Sequence, residues 1–463
     1  RYDGTSRFPR GKRYGFFPSF SAAYRISEEA FFEPLRKTVD NLKIRLSYGS
    51  LGNQQIGYYD FIQTITTKGS MGDYSFDGTI LGQHATVSDP VSGNQTWEKV
   101  ISKNLGADLN MFSNRLSLTA DFYIRDTKGI LGKGKSLPSI YGANEPQVNS
   151  NNLRTKGYEL VLGWRDSFKL AGSTFSYGIT GTFSDYTAEY TKCDNPSGLI
   201  GDPYVGKKYG EIWGYKVDGL FRNDEEAAEY ASRVDLSKVA AGYYSATGAY
   251  GKGVRGGDIK YLDLDGSGIV DGGKGTLEDP GDRRVIGNSS PRYQYGLTLN
   301  LSWYGFDLSV FMQGIGRLDW YPGADNLRFW GPYSRPYATF IPKNFMSQVW
   351  SESNPDAYLP RARAYTSLNS TQGTAYYTND RYLQNLAYCR LKNLTLGYTI
   401  PKRLTSKVGI KECRVYFSGE NLATWSALKN DFLDPEQAAA NSDKKSNVYP
   451  WCRTYSVGLN LTF

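Results

Sequence analysis

Histidine is almost missing from this chain: His84 stands alone among 463 residues. That scarcity excludes histidine-rich metal sites and most histidine-based acid–base catalysis. Cysteine is nearly as rare. Cys193, Cys389, Cys413 and Cys452 lie far apart with no Cys-x-x-Cys pair, which fits neither a zinc site nor a dense disulfide frame. No apolar run approaches the ~20 residues of a membrane helix, and the mean hydropathy is −0.50. The net charge is +8, yet the Lys and Arg residues are scattered among 46 acids, so no basic, aromatic-rich run marks a nucleic-acid face. Neither an HExxH helix nor a G-x-S-x-G elbow occurs, and the chain is expected to be neither an enzyme nor a carrier of an organic cofactor. Gly251, Gly253 and Gly256 match a dinucleotide fingerprint on paper, but no strand precedes them and no helix follows, so they read as a flexible loop.

What is abundant is tyrosine, phenylalanine and glycine: 37 Tyr, 22 Phe and 51 Gly. Amphipathic rings for girdles and glycine for crowded strand positions make a β-barrel balance. The last residues are the clearest instance. Tyr455, Val457, Leu459, Leu461 and Phe463 fall on one strand face, and Thr454, Ser456, Gly458, Asn460 and Thr462 on the other. Period-2 alternation recurs at Phe20–Ile26, Leu42–Tyr48, Leu116–Ile124, Tyr295–Trp303, Phe306–Met312 and Leu394–Ile400. One such strand suits a soluble sandwich equally well; a surface adhesin or glycan-binding β-protein would share it. Connection lengths separate the two. Tyr304-Gly305 and Phe112-Ser113-Asn114 are tiny, whereas about 66–95, 128–154, 188–290, 320–385 and 422–450 are long. Short turns on one side and long loops on the other are the asymmetry of a membrane barrel, and loops this long count against a compact soluble domain. The expectation is all-β: on the order of 12–14 antiparallel strands of about 10 residues or more. A helix is expected at 224–234 inside the longest loop, with Asn223 as N-cap and acids in its first turn.

Two loop motifs could bind something. Asp263, Asp265, Ser267, Ile269 and Asp271 have the spacing of a Ca²⁺ loop, with the Ile269 carbonyl at position 7. Position 12 is Lys274 instead of a bidentate Glu, and Asp279 or Asp282 could supply the missing carboxylate. The ion would be structural. Trp320, Arg328, Phe329, Trp330, Tyr333 and Arg335 form an aromatic and guanidinium cluster suited to sugar rings or peptide chains. The alternative for this cluster is a self-packed loop or a contact to a partner lid.

Motifs spread along the chain resemble the SusC/RagA family, the TonB-dependent outer-membrane transporters. They are RYDGTSRF at Arg1–Phe8, FFPSFSAAYRISEE at Phe16–Glu29, LKIRLSYGSLGNQ at Leu42–Gln54, the segment Thr96–Tyr123, YGEIWGYKVDGLF at Tyr209–Phe221, Tyr382–Pro401, YFSGENLATW at Tyr416–Trp425, Asp434-Pro435-Glu436 and the C-terminal strand. The resemblance implies a 22-stranded barrel in the Gram-negative outer membrane, of which residues 1–463 would be the C-terminal part. No plug motif is found, and the chain opens on Arg1 without Met or signal peptide, so a longer precursor is expected. The implied partners are a SusD-like surface lipoprotein, TonB through the N-terminal region, the rest of the same barrel, the lipid bilayer and a substrate, with no nucleic acid. Nutrient import of oligosaccharides is implied first and of oligopeptides second. A passive porin is the rival from another class. By the same resemblance, Tyr455, Val457, Leu459, Leu461 and Phe463 would be the outer-membrane assembly signal.

Overall fold

A computed structural model describes residues 1–68, 75–76, 79–80, 84–134, 138–244, 253–335, 337, 341–363, 368, 373–430, 433–439 and 451–463. Its frame is one antiparallel sheet of eleven strands. In chain order these are β1 (Ser19–Arg25), β2 (Val39–Asn53), β3 (Glu98–Met111), β4 (Leu116–Lys133), β5 (Gln147–Leu170), β6 (Ser173–Lys192), β7 (Arg292–Trp303), β8 (Phe306–Arg317), β9 (Tyr388–Thr399), β10 (Glu412–Ser426) and β11 (Thr454–Thr462). Each pairs with its sequence neighbour, and β1 and β11 are the two edges. Among the described residues the sheet has fewer strands than the 12–14 expected, and the longest, β5, runs to 24 residues.

Register turns the alternation of single strands into two continuous faces. Leu297, Leu299 and Leu301 lie opposite Met312, Val310 and Leu308. Leu308 and Val310 in turn face Leu396 and Leu394, Leu396 faces Phe417, and Phe417 faces Val457. At the other end of the sheet Leu46, Leu105, Phe122 and Tyr158 form one cross-strand row. Among the described residues none covers this apolar face: Leu46 is 57% exposed and Val457 79%. An apolar band this wide has no place in water. Rings bound it. Phe122, Tyr158, Phe183 and Tyr293 run in a chain with centroids 5.9–6.4 Å apart near the long-loop end. Trp303, Phe306 and Tyr398 line the short-turn end, and the Phe306 and Tyr398 rings are 4.5 Å apart.

The turns fold as their residues require. Tyr304 (φ 49°) and Gly305 (φ 82°) are both left-handed, the two-residue hairpin geometry that matches strand twist. All connections at that end are short: 26–38, 112–115, 171–172, 304–305 and 400–411. The opposite end carries 54–97, 134–146, 193–291, 318–387 and 427–453. The stretch expected as a loop at 128–154 is therefore mostly strand, because β4 and β5 continue past a bulge between Lys128 and Ile130. Helix α1 (Asp224–Arg233) starts on Asn223, whose side chain accepts from the Glu226 amide at 2.8 Å.

The hydrophobic core is not under the sheet. Its main cluster consists of loop residues, among them Tyr215, Phe221, Ile259, Tyr261, Phe329, Trp330, Trp350 and Tyr382. Two long connections, 193–291 and 318–387, thus fold together into one body above the wall.

Candidate functional site

The polar face of the sheet is a fixed charge network. Arg45 on β2 donates to both oxygens of Asp108 (2.9 and 3.1 Å) and to both of Asp121 (3.0 and 2.9 Å). Asn104 adds a bond to Asp121 at 3.0 Å. Only glycine fits at position 106, where a Cβ would sit 2.6 Å from the guanidinium carbon and from Asp121 Oδ1. Near the short-turn end Arg414 holds Asp307 at 2.9 and 2.5 Å. This face offers paired charges and hydroxyls, as a water-facing wall requires, and among the described residues no nucleophile–base pair.

The loop body places the aromatic cluster differently from its expected role as a binding surface. Phe329, Trp330 and Tyr333 are buried, with Trp330 fully so. The Trp330 ring lies 4.7 Å from Phe329 and 5.0 Å from Tyr382, and its indole N–H donates to the Pro322 carbonyl at 3.2 Å. The Tyr333 hydroxyl donates to the Pro360 carbonyl. These three rings form the self-packed interior of the loop body, the alternative that the sequence left open beside ligand contact. Trp320 is half-buried in a two-residue ladder with Gln384–Asn385. Arg328 is exposed, and Arg335 reaches Asp325 at 3.8 Å. The interior also holds a buried ion pair, Arg363 to Asp258 at 2.5 and 3.0 Å, and a Tyr261–Asn379–Tyr321 hydrogen-bond group. Burial pushes the phenols of Tyr215 and Tyr358 up to about 12. Of the paper nucleotide motif, Gly251 lies outside the described residues, and Gly256 abuts the Asn223 backbone.

The acidic loop is brought together in part. Carboxylate oxygens of Asp263, Asp265 and Asp282 lie within 4.8 Å of one another. Asp271 is not in the trio; its side chain accepts from the Gly273 amide at 2.7 Å, and its own amide donates to Asp282 at 2.9 Å. Ser267 donates its hydroxyl to the Ile269 carbonyl at 3.0 Å. Asp282, one of the two later acids offered for the missing carboxylate, joins Asp263 and Asp265 in the trio. Asp282 is fully buried, and burial raises its pKa, whereas hydrogen bonds from the Ser267 hydroxyl and amide lower that of Asp265. Three hard oxygen donors crowded this closely suit a divalent cation such as Ca²⁺.

Sequence reading missed one site. Arg390 on β9, 2% exposed, donates to Thr424 Oγ1 (2.9 Å), Glu436 (2.6 Å) and Asp434 (2.6 Å), and Lys392 donates to Glu436 at 2.7 Å. The Asp434-Pro435-Glu436 turn is thereby latched onto the wall. The only signal was the unmatched charge of two acids flanking a proline. On β11, Tyr455, Val457, Leu459, Leu461 and Phe463 all stand on the apolar side or at its end, exposed by 41–79%.

Comparison with known proteins follows the same outline. "TonB-dependent receptor P3" of Formosa agariphila is 27% identical over 486 residues, covering all of this chain and 43% of that protein. "TonB-dependent receptor SusC" of Bacteroides thetaiotaomicron is 24% identical over 482 residues, again covering the whole chain and 41% of its own length. Along its whole length the chain is similar to TonB-dependent receptors, SusC among them. No family model matches the chain. Among solved structures it superposes on the RagAB peptide transporter with a TM-score of 0.71 at 21% identity, covering 100% of this chain and 45% of that one. The superposition gives the sheet the fold of a stretch of barrel wall. The chain spans less than half the length of these relatives.

Proposed function

We propose that this chain forms the wall and outer loops of an outer-membrane nutrient importer energised through TonB. The observation that carries the reading is the sheet itself: one face apolar across eleven strands and unpacked, the other polar and paired, with every long loop at one end. Such a sheet fits only between lipid and a wet lumen. The wall does no covalent chemistry. It closes off the bilayer, and its rigid loop body carries a SusD-like lipoprotein lid. The plug and the TonB-binding segment belong to the remainder of such a receptor. Whole-chain likeness to TonB-dependent receptors supports this over a passive porin.

Oligosaccharides are the first substrate class. Oligopeptides are a second reading, favoured by the likeness to a RagAB structure titled a peptide transporter. Trp320, Arg328 and Arg335 remain as the loop groups able to meet either ligand. The Asp263, Asp265 and Asp282 trio would hold a structural Ca²⁺ that ties the acidic loop, and the alternating β11 strand with Phe463 would serve as the assembly signal. The experiment is purification of the intact receptor in detergent with binding measured against glycan and peptide panels. Recovery with a lipoprotein of comparable size and selective binding of one panel is expected. A lone barrel that binds neither would overturn the reading.

A further inference from the structure

The apolar face carries a depression of about 790 Å³ near its long-loop end. Its floor is the row Leu46, Leu105, Phe122 and Tyr158 on β2 to β5. Its upper edge is set by Lys103 and Lys156, which both face Ile124, one from each neighbouring strand. Two strand spacings separate them, on the order of 10 Å. Further toward the long loops on the same face, Lys99 stands directly opposite Lys128. The acids on this part of the face are already engaged: Asp126 with Arg154, Glu189 with Lys208, and Asp185 with Arg292. Among the described residues, none of the four lysines has an ion pair. Like charges directly opposite on a sheet repel, and here four of them gather where the apolar band ends. Among the described residues no acid is left on this part of the face to neutralise them. The neutralising anion must reach a floor that faces lipid, which a soluble ligand does not.

We infer that this corner binds a phosphate-bearing lipid of the leaflet at the long-loop end, with its acyl chains against Leu46, Leu105 and Phe122 and its phosphate between Lys103 and Lys156. Lysine suits the task as a flexible point charge whose stem lies along apolar surface while its ammonium reaches the headgroup. The inference rests on the membrane-wall reading above. The test is the phosphorus retained per intact receptor after extensive detergent exchange, with the lipid identified by native mass spectrometry. Wild type is expected to keep the lipid, and Lys103→Ala with Lys156→Ala to lose about threefold or more. Lys103→Arg with Lys156→Arg should keep it, as should Lys402→Ala with Lys407→Ala at the short-turn end. Equal retention in the double alanine variant, equal loss in the short-turn control, or displacement by millimolar inorganic phosphate would overturn the inference. Heat-modifiable gel mobility verifies that each variant is a folded barrel. A receptor that stays out of the detergent phase altogether would fail at the wall reading. One that enters it but carries the same lipid in every variant would fail here alone.

Discussion

Truncation of Trp330 distinguishes a ligand-facing aromatic from a structural one. The indole is fully buried, touches Phe329 and Tyr382, and donates to the Pro322 carbonyl. Trp330→Ala removes that packing and leaves the carbonyl without its donor. Core substitutions of this size cost about 3–5 kcal/mol, and a stranded buried acceptor falls within that range. At about 4 kcal/mol the opening equilibrium of the loop body shifts by roughly a thousandfold. Hydrogen exchange of the intact receptor reads it directly. The amides of Trp330, Tyr382 and Leu386, bonded to the Asn326 carbonyl, Asn379 Oδ1 and the Leu318 carbonyl, should lose protection by about that factor. Amides of β4, in the wall, should not change. If transport were lost while loop protection moved by less than about tenfold, the indole would be touching substrate and the argument from burial would be wrong.

Three further outcomes are expected. Asp263→Ala with Asp265→Ala should lower thermal stability only when Ca²⁺ is present, and an equal shift with and without the ion would leave the trio as a mere turn. Raising the pH should loosen the loop body. Exposed phenols ionise near 10, whereas Tyr215 and Tyr358 hold their protons to about 12, so the unfolded loops release protons first. Their contribution is complete below pH ~10 and fades as the pH climbs toward 12, which tyrosinate absorbance with parallel exchange measurements would follow; protection that is flat across that window would refute it. Arg390→Met strands Asp434 and leaves Glu436 on Lys392 alone, and breaking a buried pair costs about 3–5 kcal/mol. The 433–439 turn should become protease-sensitive while the wall stays intact, and unchanged cleavage would mean the latch is idle.

The wall was legible and the loop body was not, for one physical reason. Where lipid and water meet a strand on opposite sides, as along Leu116–Ile124 or Tyr455–Phe463, chemistry alternates residue by residue and can be read locally. Beyond the apolar band both faces are wet, alternation lapses, and the continuation of β4 and β5 past the Lys128 bulge read as loop. The aromatics around Trp330 are indistinguishable in sequence from a sugar platform, because their burial depends on Tyr382 and Phe345, supplied by later segments. The same holds for Asp282: eleven residues past Asp271, it joins the trio only because the loop doubles back, with the Asp282 amide bonded to the Asp271 carbonyl at 3.0 Å.

The length of the β5–β6 hairpin has a mechanical side. With 24 residues, β5 is about 80 Å long, and the apolar band of such a wall is only about 25 Å tall. The surplus rises above the apolar band as ladder rather than loop, fastened to β4 by the Asp126–Arg154 pair and to β6 by the upper part of a pairing that runs from Asn152 to Leu170. A tug applied along these strands from the loop body must shear many hydrogen bonds together instead of peeling them singly. The loop body is therefore mounted on a stiff mast, which meets a load along the strands as one unit.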